Sequence, residues 1–225
     1  MIDLSFFGRG AAFYPAFHNT NAFFRNEDEL YFLDFGESTF ERAAPLLGQK
    51  NYRRATVLLT HLHADHAGSL PSLCSYMAMV LHMPLRIIHP SPAILDFLRI
   101  TGIDPSFYEW LPALPEGEPV SATAHPVQHA KDMACYGYVL FDGKDKIYFS
   151  GDAHEPPVTV LNQFLNGEIK RLYHDTASHA SQGHCWYKTL CDMIPPQKRR
   201  NVFCMHLDGD YEDLLYSLGF SVVQV

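Results

Sequence analysis

Thr56-Val57-Leu58-Leu59-Thr60-His61-Leu62-His63-Ala64-Asp65-His66-Ala67-Gly68 is the stretch whose reading decides the fold. It opens as a short apolar run with β-branched residues, the pattern of a buried strand. Four side chains able to hold a metal follow within six residues. His61 and His63 are two apart, so in extended backbone they point the same way. Asp65 and His66 come at the turn that follows. Imidazole suits zinc, iron or manganese, and the carboxylate adds a harder, charged ligand. Four ligands in so short a span exceed what one tetrahedral ion with an open position needs. The spacing therefore points to two ions.

His61-x-His63-x-Asp65-His66 after an apolar strand resembles the signature of the metallo-β-lactamase fold superfamily. The resemblance implies an α/β fold, a four-layer αββα sandwich, with a one- or two-metal site on the edge between its sheets. It also asks for a His at a strand end, an Asp after Ser-Gly, and a last His at another strand end. His129 follows Pro126-Val127-Gln128, Asp152 follows Ser150-Gly151, and His206 follows Val202-Phe203-Cys204-Met205. By this match His61, His63 and His129 hold a first ion, and Asp65, His66 and His206 a second, with Asp152 bridging. Two divalent ions are implied, zinc first, with manganese or iron as alternatives. They would lower the pKa of a water between them toward neutrality. Asp34, before Phe35-Gly36, would support the metal-binding loop; an Asp-x-Gly turn is its ordinary alternative.

A chain of 225 residues with 47% hydrophobic content suits one domain, residues 1–225, with a large core. No stretch is apolar enough to span a bilayer, and no basic region precedes an apolar run at the N-terminus. The 5 Cys residues are odd in number and lack C-x-x-C spacing. They are expected to be reduced, mostly buried thiols in a cytoplasmic protein. The formal charge of −8 argues against long polyanionic substrates. Lys198-Arg199-Arg200 is the basic cluster, expected as a solvated turn.

Along the chain, strands are expected over 1–7, 19–25, 30–34, 56–60, 86–89, 120–128, 136–141, 146–150, 169–173 and 201–205, with another at the C-terminus. Helices are expected over 41–47, 67–81, 92–100, 156–165, 185–194 and 211–218. In the second of these, Leu70, Leu73, Met77, Val80 and Leu81 share a helical face and are assigned to the core. Pro195-Pro196 should stop the helix before it. Residues 102–119, rich in proline, are expected as a loop serving as a lid or homodimer contact. Halves joined near residue 119 would suit the internal pseudo-duplication that the superfamily resemblance implies.

Phe6-Phe7-Gly8-Arg9-Gly10-Ala11-Ala12 resembles the N-terminal strand and loop of ribonuclease Z-like proteins. His174-Asp175-Thr176-Ala177 resembles their H-E-A-T motif, with Asp for Glu, and Gly183-His184 resembles the G-H-S-T motif, with Cys185-Trp186 replacing Ser-Thr. By that match His184 donates a proton to the leaving oxygen and Asp175 orients it. Asp65, Asp175 and His184 are thus the expected catalytic set, Asp65 being also a ligand. His179 is an alternative to His184, and His154 an alternative pocket residue. Ribonuclease Z carries a long basic arm that grips tRNA, and by resemblance it belongs before the Gly-Asp motif. Only Asp142 to Lys146 fills that space. A small phosphodiester is therefore expected rather than tRNA, cyclic nucleotides being cleaved by some arm-less relatives, with short RNA also in range. The other readings are a ribonuclease Z-like endoribonuclease, a thioester, lactone or lactam hydrolase on the same metals, and a non-catalytic metal-stabilised module.

Overall fold

Leu30–Leu33 is apolar at every position, while the preceding Ala22–Asn26 alternates, so the former belongs inside a sheet and the latter nearer its edge. The computed structural model, which describes residues 2–225, bears this out. Strands β1 (Ser5–Phe6), β2 (Ala22–Asn26), β3 (Glu29–Leu33), β4 (Arg54–Leu58), β5 (Leu85–Ile88) and β6 (Glu109–Leu111) form one sheet in sequence order. The first three pair antiparallel, and β3 to β6 run parallel. Strands β7 (Ser121–Pro126), β8 (Tyr136–Phe141), β9 (Lys146–Phe149), β10 (Ile169–Asp175), β11 (Val202–Met205) and β12 (Ser221–Val222) form the second. It repeats the plan: β7 to β9 antiparallel, β9 to β12 parallel. The two halves meet between residues 111 and 121, where the pseudo-duplication was expected.

Three apolar layers separate four structural ones. Phe24, Tyr31, Leu33, Leu58, Tyr138, Leu140, Phe149 and Met205 fill the space between the sheets. On the outer face of the first sheet, helices α1 (Thr39–Leu47), α3 (Leu70–Tyr76) and α4 (Ala93–Ile100) bury Ala43, Leu47, Leu73 and Leu98. The four-residue turn α2 (Ala64–Ala67) precedes α3. On the second sheet, α5 (Val158–Asn166), α6 (Tyr187–Met193) and α8 (Glu212–Ser217) bury Val160, Leu190 and Leu215, with a short α7 (Pro196–Arg199) between α6 and β11. Each fully buried Leu, Ile or Phe contributes about 1.5–3 kcal/mol. This is the αββα sandwich.

Several local expectations need correction. The helix over 67–81 is broken after Ala67, and its last turn, Met77–Leu81, is a π-helix. That change of period turns Val80 outward, 55% exposed, and Met79 with it. The first strand is only Ser5–Phe6; Met1 lies outside the described residues. Part of 102–119 is not loop: β6 pairs in parallel with β5, and Trp110 donates its Nε1–H to His89 O. Pro195-Pro196 does end α6, but Pro196 then opens α7. Within Lys198-Arg199-Arg200, Arg199 is no solvated turn residue. Its guanidinium donates to the carbonyls of Ile194, Leu218 and Cys191, tying the end of α6 to the end of α8.

Among the described residues no helix is long and apolar enough to cross a membrane. The cysteines are free, and all but Cys191 are buried.

Candidate metal centre

The carboxyl ends of parallel strands leave a crevice where ligands collect in α/β sheets. Here both sheets bring such ends to one edge. Asp34 follows β3, Thr60 and His61 follow β4, Asp152 follows β9, Asp175 ends β10, and His206 follows β11. The sheets are tied at that edge, since Tyr136 N donates to Thr60 O and Tyr138 Oη to Leu59 O.

All seven expected ligands converge. His63 Nδ1 lies 3.0 Å from His61 Nε2 and 3.1 Å from His129 Nε2. Asp152 Oδ2 is 3.8 Å from His61 Nε2 and 3.4 Å from His129 Nε2. Its other oxygen, Oδ1, is 3.1 Å from His66 Nε2 and 3.3 Å from His206 Nε2. Asp65 Oδ2 lies 3.1 Å from each of those two nitrogens. Two four-atom groups result, sharing Asp152, which gives one oxygen to each. A tetrahedral ion with bonds of about 2.0–2.1 Å wants its donors about 3.3 Å apart. The observed spacings bracket that value. His66 Nε2 and Asp152 Oδ1 are buried and have no hydrogen-bond partner, so their lone pairs are available to a cation. The donor set fits two divalent ions.

The imidazoles are held from behind. Asp34 Oδ2 accepts from His66 Nδ1 at 2.7 Å and from Thr60 Oγ1 at 2.8 Å, while Oδ1 accepts from Thr60 N at 2.7 Å. Since Thr60 gives its hydroxyl proton to Asp34, its oxygen accepts from His61 Nδ1, 3.1 Å away. His129 Nδ1 donates to Gly183 O at 2.9 Å. Each contact fixes a tautomer that leaves Nε2 facing the cluster. The expected supporting role of Asp34 is thus built into its geometry. Three positive-φ positions, Asp34, Gly151 and His206, belong to the same construction, as does the closely packed Gly36. Gly151, at φ 57°, lies so close to Thr60 that a Cβ would meet its side chain at 2.7 Å. A Cβ on Gly36 would fall 1.8 Å from Asp65 O, so the metal loop packs directly on glycine backbone. His206, at φ 57°, is a left-handed non-glycine, held by its N–H on Thr20 Oγ1.

Charge divides the site. Burial, reinforced by His66, holds the His61 imidazole well below its ordinary pKa, and burial with His129 lowers His63. Neutral rings are the form a metal takes. Burial also opposes charge on His206, but Asp152, Asp175 and Asp65 outweigh it and push it up to about 10. Burial raises the Asp152 carboxyl, yet His206, His66 and His61 outweigh that and hold it well below the usual range. Positive charge is therefore favoured between Asp65 and Asp152, and protons or metal ions can supply it.

Asp175 and His184 stand beside this cluster. His184 Nδ1 is 2.7 Å from Asp175 Oδ2. The shorter acid does reach, and within the His184 loop Ser181 Oγ accepts from His184 N. Asp152, Asp175, His184 and His206 form a third close group, but Asp175 already occupies the His184 nitrogen. A cavity of about 450 Å³ opens over His63, Asp65, His129, Asp152, His184 and His206. His179 is outside it, paired with Asp208 at 2.9 Å, and His154 turns away toward Glu155. Sequence reasoning missed Thr60 and Asn21. Asn21 Nδ2 donates to Asp65 O, and its Oδ1 accepts from Gly36 N and Thr39 Oγ1. Thr60 could have been suspected as a polar strand end beside His61; Asn21 carries no local signal.

The family model described as "Anti-Pycsar protein Apyc1" matches residues 2–101 and 93–222. The chain belongs to the Apyc1 family. A protein of Bacillus phage 010DV004 with that description is 24% identical over 249 residues, covering 97% of this chain and 93% of its own. Ribonuclease Z of Parabacteroides distasonis is 28% identical over 185 residues, 73% of this chain and 59% of its own. Human tRNase Z, short form, superimposes with TM-score 0.68 at 19% identity, covering 92% of this chain and 93% of that one. A diphosphatase of the PhnP family reaches 0.74 at 14% identity, covering 100% and 95%. The fold is that of metallo-β-lactamase fold proteins, and ribonuclease Z is among the proteins this chain resembles in sequence.

Proposed function

We propose that this metal-dependent phosphodiesterase hydrolyses a small cyclic nucleotide. The observation that carries the reading is the Asp175–His184 pair, placed beside the Asp152 carboxylate at the floor of the cavity. Hydrolysis of an alkyl phosphodiester needs a proton for a poor leaving group, and this pair is built to hold one.

Divalent ions held here, zinc being the first choice for these donors, would supply Lewis-acid chemistry, neutralising phosphoryl charge and acidifying water. His61, His63 and His129 form one ligand set; Asp65, His66 and His206 the other; Asp152 serves both. Asp34 and Thr60 keep the rings aimed. Burial lowers the His184 pKa, but Asp175 outweighs it and lifts it above the ordinary imidazole value. With Nδ1–H given to Asp175, the Nε2–H of His184 passes its proton to the departing ester oxygen as the P–O bond breaks.

The small size of the substrate is supported by three features. The cavity, about 450 Å³, is in the range of small-molecule sites. Between β8 and β9 the chain turns within residues 142–145, too few for a tRNA-gripping arm. The net charge of −8 opposes a long polyanion, whose binding rests on phosphate contacts. Ligands drawn from both halves of 1–225 support treating the chain as one functional domain.

The test is hydrolysis of bis-p-nitrophenyl phosphate and of cyclic mononucleotides by metal-loaded protein. Turnover by the wild type and none by Asp152→Ala is expected. Equal rates for both proteins, or no cyclic nucleotide cleavage at all, would refute the proposal.

A further inference from the structure

Phe13 is 98% exposed. Single exposed apolar side chains are ordinary; the position and anchoring of this one are not. Ala11 N donates to Leu207 O, and Leu207 N to Arg9 O, so the loop is laddered to the residue after His206. Tyr14 N donates to Ala11 O, closing a tight turn with Ala12 and Phe13 at its tip. The aromatic ring is thus presented to solvent on backbone tied to the metal-ligand segment.

Phe13 borders two cavities. One is the cavity over the ligand cluster; the other, about 230 Å³, lies between Phe13, Tyr14, His179, Ser181 and Asp208. They share Ala11, His184 and His206, so a molecule whose phosphate sits at the ligands can extend into the second. Away from His184 and His206, which also line the cavity over the ligand cluster, the charge there disfavours another phosphate. Asp208 is the acid in the lining, and among the described residues no Lys or Arg lines it. A neutral, flat group suits it. Asp208 accepts from Ser178 N and Ser178 Oγ and pairs with His179 Nδ1 at 2.9 Å, which leaves His179 Nε2 as the ring's other polar atom at the rim.

We infer that Phe13 is the stacking platform for the nucleobase and that the side cavity behind it is the base subsite, with His179 meeting the base edge. This rests on the cyclic-nucleotide reading above. Every base offers a π-face to an aromatic ring, so the platform gives affinity with little base selectivity.

The experiment compares a cyclic mononucleotide with base-free ribose 3′,5′-cyclic phosphate, using metal-loaded wild type, Phe13→Ala and Phe13→Trp. Phe13→Ala is expected to raise KM for the cyclic nucleotide roughly tenfold, the effect of one lost stack, with kcat unchanged. The base-free ester should be indifferent to the substitution, and Phe13→Trp should restore KM. An unchanged KM in Phe13→Ala, or equal effects on both substrates, overturns the base subsite alone. A wild type that cleaves neither compound overturns the cyclic-nucleotide reading and this inference together.

Discussion

Asp175 spans two histidines: its Oδ2 accepts from His184 Nδ1 at 2.7 Å, and its Oδ1 faces His206 Nδ1 at 3.5 Å. The second distance is too long for a normal hydrogen bond. One fully buried carboxylate thus orients the proposed proton donor and backs a proposed ligand. His184→Ala should lower kcat on phosphodiesters by about 10²–10⁴-fold while metal content stays at the wild-type level. Steady-state kinetics with elemental analysis checks this. Lost phosphodiesterase activity alongside retained lactone hydrolysis would instead favour a carboxyl-derivative hydrolase.

Asp152 belongs to both four-atom groups, so its removal should affect both ions. Elemental analysis should return close to two ions per chain for the wild type and clearly fewer for Asp152→Ala. Chelation should abolish activity and lower the melting temperature, since a ligand at 100 times its Kd contributes about 2.7 kcal/mol. A melting curve indifferent to chelator would contradict the ligand set.

Asp34 accepts from three donors on two residues, one of them a proposed ligand. Asp34→Ala should weaken metal binding by about 10–100-fold. It should also destabilise the fold by about 3–5 kcal/mol, the cost of breaking a buried ionic pair. Metal titration and denaturant unfolding read the two effects separately.

At the opposite end of the first sheet, Glu29 accepts from Arg54, Thr56 and Tyr31. Burial raises its pKa, but Arg54, Thr56 and Tyr31 outweigh this and hold it below the ordinary value. The folded value is the lower one. Its stabilisation is therefore present above the unfolded pKa of about 4.3 and is lost as pH falls through the folded pKa. Glu29→Gln should melt lower than wild type at pH 7, with the gap closing as pH falls below about 4. A gap that stays constant with pH would exclude this assignment.

What was legible in the sequence was legible for a local reason. Periodicity marks a strand within five residues, and a ligand motif at a strand end needs only that strand to be aimed. Hence His61, His63, Asp65 and His66 could be read as a metal motif from their own spacing, whereas His129, Asp152, His206 and the Asp175–His184 pair were named through the family resemblance of their motifs. Local pattern was a poorer guide where packing set the conformation. The π-turn over Met77–Leu81 turned Val80 outward, and Arg199 was drawn inward by three carbonyls at the ends of α6 and α8. Tertiary structure alone decided the rest. It selected Nδ1 of His63 but Nε2 of the other ligand histidines, and split Asp152 between the two groups. It also brought Asn21 beneath Asp65 and Phe13 beside His206. These facts depend on contacts between residues far apart in the chain, whose distances are set only when the two sheets pack.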